Sequence, residues 1–265
     1  QKVKLAISNI AWSAEDDEQM YAFLKSEGFE GLEIAPTRII ADNPYEKLKE
    51  ATDFKIHLKA NFNLNIPSLQ SICFGRSEAI FGTEEERNAI KEYIKKSIDF
   101  ANVVDCKNLV FGSPKNRIIG ENQLDIAIAF FDELGTYAIQ NNTILAVEPN
   151  PDIYGTNFLN TTKEAIDFVK KVQNKGLKVN VDLGTIIHNN EDLAIIGENI
   201  ELVNHIHISE PYLEPIIERA VHKELFQLLK KYNYSNYISI EMKNTNDLGI
   251  VKNSIHYIKD VFQRK

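Results

Sequence analysis

Four acidic or imidazole residues sit at the ends of apolar runs in the second half of the chain. Glu148 closes LAVE, Asp182 closes VNVD, His207 lies in HIHIS and Glu241 closes ISIE. One such residue reads equally well as a helix cap or a salt-bridged surface acid. Four in succession would crowd like charges where burial penalises them, and a cation removes that penalty. Three carboxylates and one imidazole form a mixed oxygen and nitrogen donor set that suits Mn2+, Mg2+, Co2+ or Zn2+. The expectation is one divalent metal ion held by Glu148, Asp182, His207 and Glu241. The donor types do not choose among these metals, and Mn2+ is taken as the leading candidate. Other chemistries lack their residues: there is no GxGxxG after a strand, no Walker lysine loop and no GxSxG elbow. Cys73 has no general base nearby in the sequence.

Residues so far apart in sequence meet only if a repeated scaffold brings them to one place. Short β-branched runs alternate with longer stretches of helical period, the pattern of βα units around a parallel sheet. Strands are expected at Lys4–Ser8, Gly31–Ala35, Ile66–Ser71, Asn108–Gly112, Ile144–Glu148, Lys178–Asp182, His205–Ser209 and Tyr237–Glu241. Amphipathic segments at Asp16–Ser26, Glu84–Asn102, Gln123–Gln140, Thr162–Asn174, Lys223–Tyr232 and Asn246–Phe262 lie between them. Thr83 followed by three glutamates suits a helix start, and Ser13 begins a turn before Glu15 to Asp17. The helices after the second and sixth strands are less marked, and residues 56–64 can be read several ways. Eight βα units in 265 residues predict an α/β fold, a single (β/α)8 TIM barrel spanning 1–265. The C-terminal ends of all its strands would face one rim, which is where the four ligand types fall.

Composition fits that reading, with 43% hydrophobic and 26% charged residues and no linker or low-complexity tract. A net charge of -8 argues against nucleic acid as a partner. Two cysteines, Cys73 and Cys106, without CxxC-type spacing, point to free thiols in a reducing compartment. No apolar run approaches the length of a membrane span, so no membrane partner is expected. The sequence starts at Gln1, and a cytoplasmic location is expected provided that no leader was removed.

Around the same rim, Lys115, Asn116 and Arg117 in GSPKNR could grip a phosphate or carboxylate. Arg38, Gln70 and Asn160 occupy comparable positions. Trp12 could wall a pocket with Phe74 and Phe111, although core packing explains these rings as well. His205 shares a strand face with His207 and reads better as a buried structural histidine. Lys243 and His222 read as surface residues.

The chain resembles the xylose isomerase-like TIM barrel superfamily, in particular its sugar phosphate isomerase/epimerase branch. The resemblance rests on GLEIAP (31–36), IPSLQSICFG (66–75), LVFGSPKNR (109–117), VEPN (147–150) with Asn160 and Thr161, NVDLGT (180–185), HIHISE (205–210) and YISIEM (237–242). It implies that Glu148, Asp182, His207 and Glu241 hold the metal. It also implies that Glu148 and Glu241 are catalytic, exchanging protons with a carbon beside a carbonyl of a sugar or sugar phosphate. His188 resembles a histidine that follows the metal aspartate in relatives at shorter spacing, and Glu210 resembles a site glutamate of the family. Both are expected substrate contacts. The arginine that some ketose epimerases carry beyond the metal histidine is absent from EPYLEP (210–215), so a free ketohexose does not follow. Type IV AP endonucleases of this barrel add histidines on strands three and four, where this chain has SLQSIC and VFGSPK, so a trinuclear zinc nuclease is not expected. The rival readings are an inosose-type keto-polyol dehydratase and a catalytically silent sugar-binding barrel. Relatives are often dimers or tetramers, which makes a homo-oligomer a further expectation.

Overall fold

The computed structural model describes residues 3–263. The strands β1 (Lys4–Ser8), β2 (Gly31–Glu33), β3 (Leu109–Phe111), β4 (Leu145–Val147), β5 (Leu177–Asp182), β6 (Val203–Ile208) and β7 (Tyr237–Ile240) form one sheet. Its order is β2-β1-β7-β6-β5-β4-β3, and every pair is parallel. Helices Asp17–Ser26, Leu48–Phe62, Glu84–Val103, Leu124–Gln140, Thr162–Val172 and Ala220–Lys231 lie between the strands in sequence, and Leu248–Phe262 follows β7. Strand residues are buried on both faces, as parallel strands wrapped by helices must be. None of the described helices is long and apolar enough to cross a membrane.

The expected strand at Ile66–Ser71 is not a regular strand. Pro67 has no N–H to give to a ladder, so pairing survives only as isolated bridges from Asn65 to Gly31 and from Leu69 to Ile34 and Leu109. The backbone still bonds to both neighbours. Leu32 and Ile34 N–H donate to the Asn65 and Ser68 carbonyls at 2.9 and 3.1 Å, and Leu69 N–H donates to the Asn108 carbonyl at 2.9 Å. This segment fills the gap between β2 and β3 as an eighth stave. Gly31 permits it, because a Cβ there would lie 2.7 Å from Pro67 Cγ.

Local chemistry sets the element ends. The helix start expected at Thr83 is present, and Thr83 and Glu86 cap it reciprocally, with Glu86 N–H donating to Thr83 Oγ1 at 3.1 Å and Thr83 N–H to Glu86 Oε2 at 3.2 Å. Such a cap contributes about 1 kcal/mol. Residues 56–64 resolve into the end of the Leu48–Phe62 helix, stopped by Asn63 in the left-handed region at φ 52°. The weakly marked segment after β5 becomes two short helices, Leu183–Asn189 and Ala194–Glu198. Inside the helical layer, Phe111 packs edge-on against Phe131 at 5.2 Å, and Phe131 meets Phe168 at 5.5 Å. Phe111 is therefore core rather than pocket wall.

Candidate metal centre

Strand endings place the four ligand types. Glu148 follows β4 directly, its N–H bound to the Phe111 carbonyl at 2.9 Å, and Glu241 follows β7, its N–H bound to the Ile208 carbonyl at 2.9 Å. Asp182 ends β5 and is level with His207 on β6, which is level with Ser239 on β7. One ligand atom from each of Glu148, Asp182, His207 and Glu241 lies within 4.8 Å of the others. His207 Nδ1 is 2.8 Å from Glu148 Oε2 and 3.4 Å from Glu241 Oε1. All four residues are buried.

Neighbouring amides and hydroxyls fix each carboxylate. Asn180 Nδ2 donates to Glu148 Oε2 at 2.6 Å, Asn150 Nδ2 to Glu148 Oε1 at 3.3 Å and Gln70 Nε2 to Glu241 Oε2 at 2.9 Å. Ser209 Oγ donates to Asp182 Oδ1 at 2.5 Å, and Thr185 N–H to Asp182 Oδ2 at 3.1 Å. Asp182 thereby also caps the helix that begins at Leu183. On the opposite side of its ring, His207 Nε2 faces Glu33, at 3.0 Å from Oε1 and 2.8 Å from Oε2.

Electrostatics test whether a cation fits. Burial pushes the Asp182 carboxyl up to about 6, and the Glu148 charge adds to it. Burial likewise pushes Glu241 well above the usual carboxylate range, against the pull of His207 and with the charges of Glu148 and Asp182 adding to the rise. Burial alone would lower His207, but the charges of Glu241, Glu33 and Glu148 hold it well above its ordinary value. These shifts record carboxylates that repel one another out of water, and a divalent ion relieves that strain. The oxygen-rich donor set with one imidazole fits such an ion.

Several rim residues stand elsewhere than expected. Arg117 is fully buried, and its Nη1 and Nη2 donate to the carbonyls of Glu148 at 2.7 Å and Leu159 at 3.3 Å, so it grips backbone rather than an anion. Asn116 is buried and donates to the carbonyls of Arg76 and Glu78. Asn160 donates to those of Asn150 and Thr156. Lys115 is exposed. Arg38 is bound to Asp17 at 2.7 Å and to the carbonyls of Asn9 and Trp12, and the buried Trp12 donates its indole N–H to the same Asp17. This cluster staples the loop after β1 through Arg38 Nη2 and the Trp12 indole. Glu210 is buried and held by Arg219 through Nε and Nη2. His188 is exposed, 3.9 Å from Asp152, outside the cluster. Phe74 is exposed, Lys243 pairs with Glu214, and His222 is buried rather than superficial. Gln70 alone of the substrate candidates touches a ligand carboxylate.

Sequence reading missed Glu33, Asn150, Asn180, Ser209, Ser239 and Tyr154. The Tyr154 hydroxyl accepts the Tyr212 N–H at 2.7 Å. Burial raises its pKa, and the charges of Asp182, Glu241 and Glu148 add to the rise.

A sequence model of the xylose isomerase-like TIM barrel family matches residues 21–261. The chain belongs to that family. No curated protein sequence matches the chain. As a xylose isomerase-like barrel it superposes on a 3-keto-D-glucoside 4-epimerase from E. coli with TM-score 0.78 and 19% identity, over 98% of this chain and 100% of that one. It also superposes on a D-psicose 3-epimerase from Clostridium cellulolyticum, solved with D-tagatose, with TM-score 0.77 and 16% identity, over 98% of each chain. A Brucella melitensis protein titled AP endonuclease, family 2 gives TM-score 0.74 and 16% identity, over 97% of this chain and 98% of that one. These likenesses show a shared fold, and an xylose isomerase-like barrel carries more than one chemistry.

Proposed function

We propose that the chain is a metal-dependent sugar isomerase or epimerase that moves a proton at a carbon beside a carbonyl. The observation that carries this reading is the convergence of Glu148 and Glu241, from β4 and β7, on the same nitrogen of His207. A proton next to a carbonyl is too weakly acidic for a carboxylate unless the developing oxyanion is stabilised. A divalent ion held by Glu148, Asp182, His207 and Glu241 would supply that stabilisation as a Lewis acid, with Mn2+ the leading candidate. Glu148, fixed by Asn150 and Asn180, and Glu241, fixed by Gln70, take and return the proton. Transfer between two faces of one carbon inverts it, and transfer between neighbouring carbons exchanges aldose and ketose. Structural neighbours titled as sugar epimerases support the substrate class.

The substrate in this reading is an uncharged polyhydroxy carbonyl compound rather than a phosphate. Arg38, Arg76, Arg219 and Lys243 are each paired with a carboxylate and Arg117 is spent on carbonyls, which leaves the exposed Lys115, of the rim cations singled out from the sequence, as the one without such a partner among the described residues. Among the described residues, the carboxamide oxygens of Gln70 and Asn150 have no donor, which suits sugar hydroxyls. Buried free thiols at Cys73 and Cys106 support a cytoplasmic location.

The test is deuterium exchange in D2O with metal-loaded protein over free ketoses, keto-glycosides and sugar phosphates. The expected result is deuterium in an uncharged sugar with its atoms otherwise conserved, lowered by about 10²- to 10⁴-fold in Glu241→Gln. Loss of water would replace the reading with a dehydratase, exchange confined to phosphates would overturn the substrate class, and no exchange at all would leave a silent sugar-binding barrel. Cleavage of abasic duplex DNA would replace it with a nuclease.

A further inference from the structure

Glu33 is a carboxylate with no exposed surface that the proton-transfer scheme leaves unused. It ends β2, the strand on the far side of β1 from β7, yet both its oxygens face His207 Nε2, at 3.0 and 2.8 Å. Ser239 Oγ donates to Glu33 Oε1 at 2.7 Å, which fixes the carboxylate from the strand next to His207. A second imidazole, His205, lies 3.4 Å from Glu33 Oε2 with its ring edge-on to that of His207 at 5.4 Å between centroids. The other face of His207, Nδ1, looks into the group formed by Glu148, Asp182 and Glu241.

We infer that Glu33 is a positioning residue for the metal centre: it accepts the His207 Nε2–H, so that the ring presents its Nδ1 lone pair to the cation. An imidazole offers one lone pair and one proton when neutral, and a buried carboxylate on one nitrogen decides which side carries which. Such a partner also restricts ring rotation and makes the ligating nitrogen more basic. The inference rests on the metal centre proposed above.

Glu33, His205 and His207 also bring ligand atoms within 4.8 Å of one another, so the competing arrangement is a second cation bridged through His207. The hydrogen-bond distances from both Glu33 oxygens to one N–H, the donation from Ser239 and the lack, among the described residues, of a fourth ligand residue in this group favour the proton over an ion.

The test is calorimetric titration of the metal-stripped protein with Mn2+, together with the His207 Nε2–H proton resonance in the diamagnetic Mg2+-loaded form. Glu33→Gln keeps the shape and removes the charge, and it is expected to weaken Mn2+ by about 10- to 100-fold and to move the resonance upfield. Ser239→Ala, which only loosens Glu33, is expected to shift both readouts in the same direction by less. It carries the test if Glu33→Gln does not fold. Equal affinity and an unmoved resonance in the folded variants overturn the inference alone. Two Mn2+ equivalents per wild-type chain overturn it in favour of the bridged pair, and no Mn2+ binding by the wild type overturns the metal centre with it.

Discussion

Arg117 lies beneath Glu148 and holds that residue's backbone carbonyl. Burial lowers its pKa to about 10 while the Glu148 charge opposes the drop, so it remains a cation at neutral pH. Arg117→Met takes that donor from the Glu148 carbonyl, at a cost of about 1–3 kcal/mol, while the Leu159 carbonyl keeps the Asn150 N–H at 3.0 Å. Urea unfolding is expected to show a lower midpoint, and Mn2+ titration a weaker site because Glu148 is no longer anchored. Lys115→Met, at an exposed neighbour, is expected to change neither. A wild-type midpoint in Arg117→Met contradicts this role. The same pair shows what sequence conveys about single residues. GSPKNR shows two rim cations, but only contacts with carbonyls 31 and 42 positions away separate the buried one from the exposed one. The four ligand types were legible because each ends an apolar run. Two supporting residues follow from strand period too: Asn180, which holds Glu148, and Ser239, which holds Glu33, stand two residues before Asp182 and Glu241 and so share their face. Glu33 gave a fainter signal, a lone acid between Leu32 and Ile34, because nothing local says that its partner is His207.

Among the elements, the segment at 65–69 departs most from expectation. Its alternation reads as a strand, and Pro67 reduces it to bridges. Gly31→Ala would set a Cβ 2.7 Å from Pro67 Cγ and 2.8 Å from Tyr237 Cε1. Overpacking of this kind costs about 1–3 kcal/mol, and the urea midpoint is expected to fall accordingly; an unchanged midpoint would mean that the stave yields freely. A second prediction concerns two packed helices. The Tyr257 hydroxyl on Leu248–Phe262 meets His222 Nδ1 on Ala220–Lys231 at 2.6 Å. Burial first, and the Arg219 charge second, lower His222 to about 4. Its unfolded value is near 6.5, so the unfolded chain binds the extra proton between those values. This contribution to stability is present above about pH 6.5 and is lost as pH falls towards about 4. The unfolding free energy of wild type minus that of His222→Gln is expected to decline over that interval, and a flat difference would show that His222 is not kept neutral. Helix positions were largely legible from periodicity and the Thr83 cap. The short helices after β5 were not, because a helix of two turns carries too few apolar repeats to stand out.

The whole molecule gathers its ligands from β4, β5, β6 and β7, four consecutive strands whose order in the sheet is their order in the chain. That succession is why the centre could be read without coordinates, whereas the contribution from β2 could not. Without a cation the assembly is penalised: Asp182, pushed up to about 6, keeps its proton in the folded chain above its unfolded value near 4. Its stabilising share is therefore present at low pH and is lost as pH rises through about 6. A bound ion reverses that loss and, at a hundredfold excess over its Kd, adds about 2.7 kcal/mol. Added Mn2+ is accordingly expected to raise the melting temperature more above pH 6 than below it, and an equal rise at both would mean that the ion sits away from Asp182. The most direct measurement of the central claim is the metal content of purified protein dialysed against Mn2+, beside Glu148→Gln treated identically. One equivalent per chain in the wild type, with the variant largely empty, is the predicted result. A wild-type chain without bound metal, or a variant that retains the full equivalent, would contradict it.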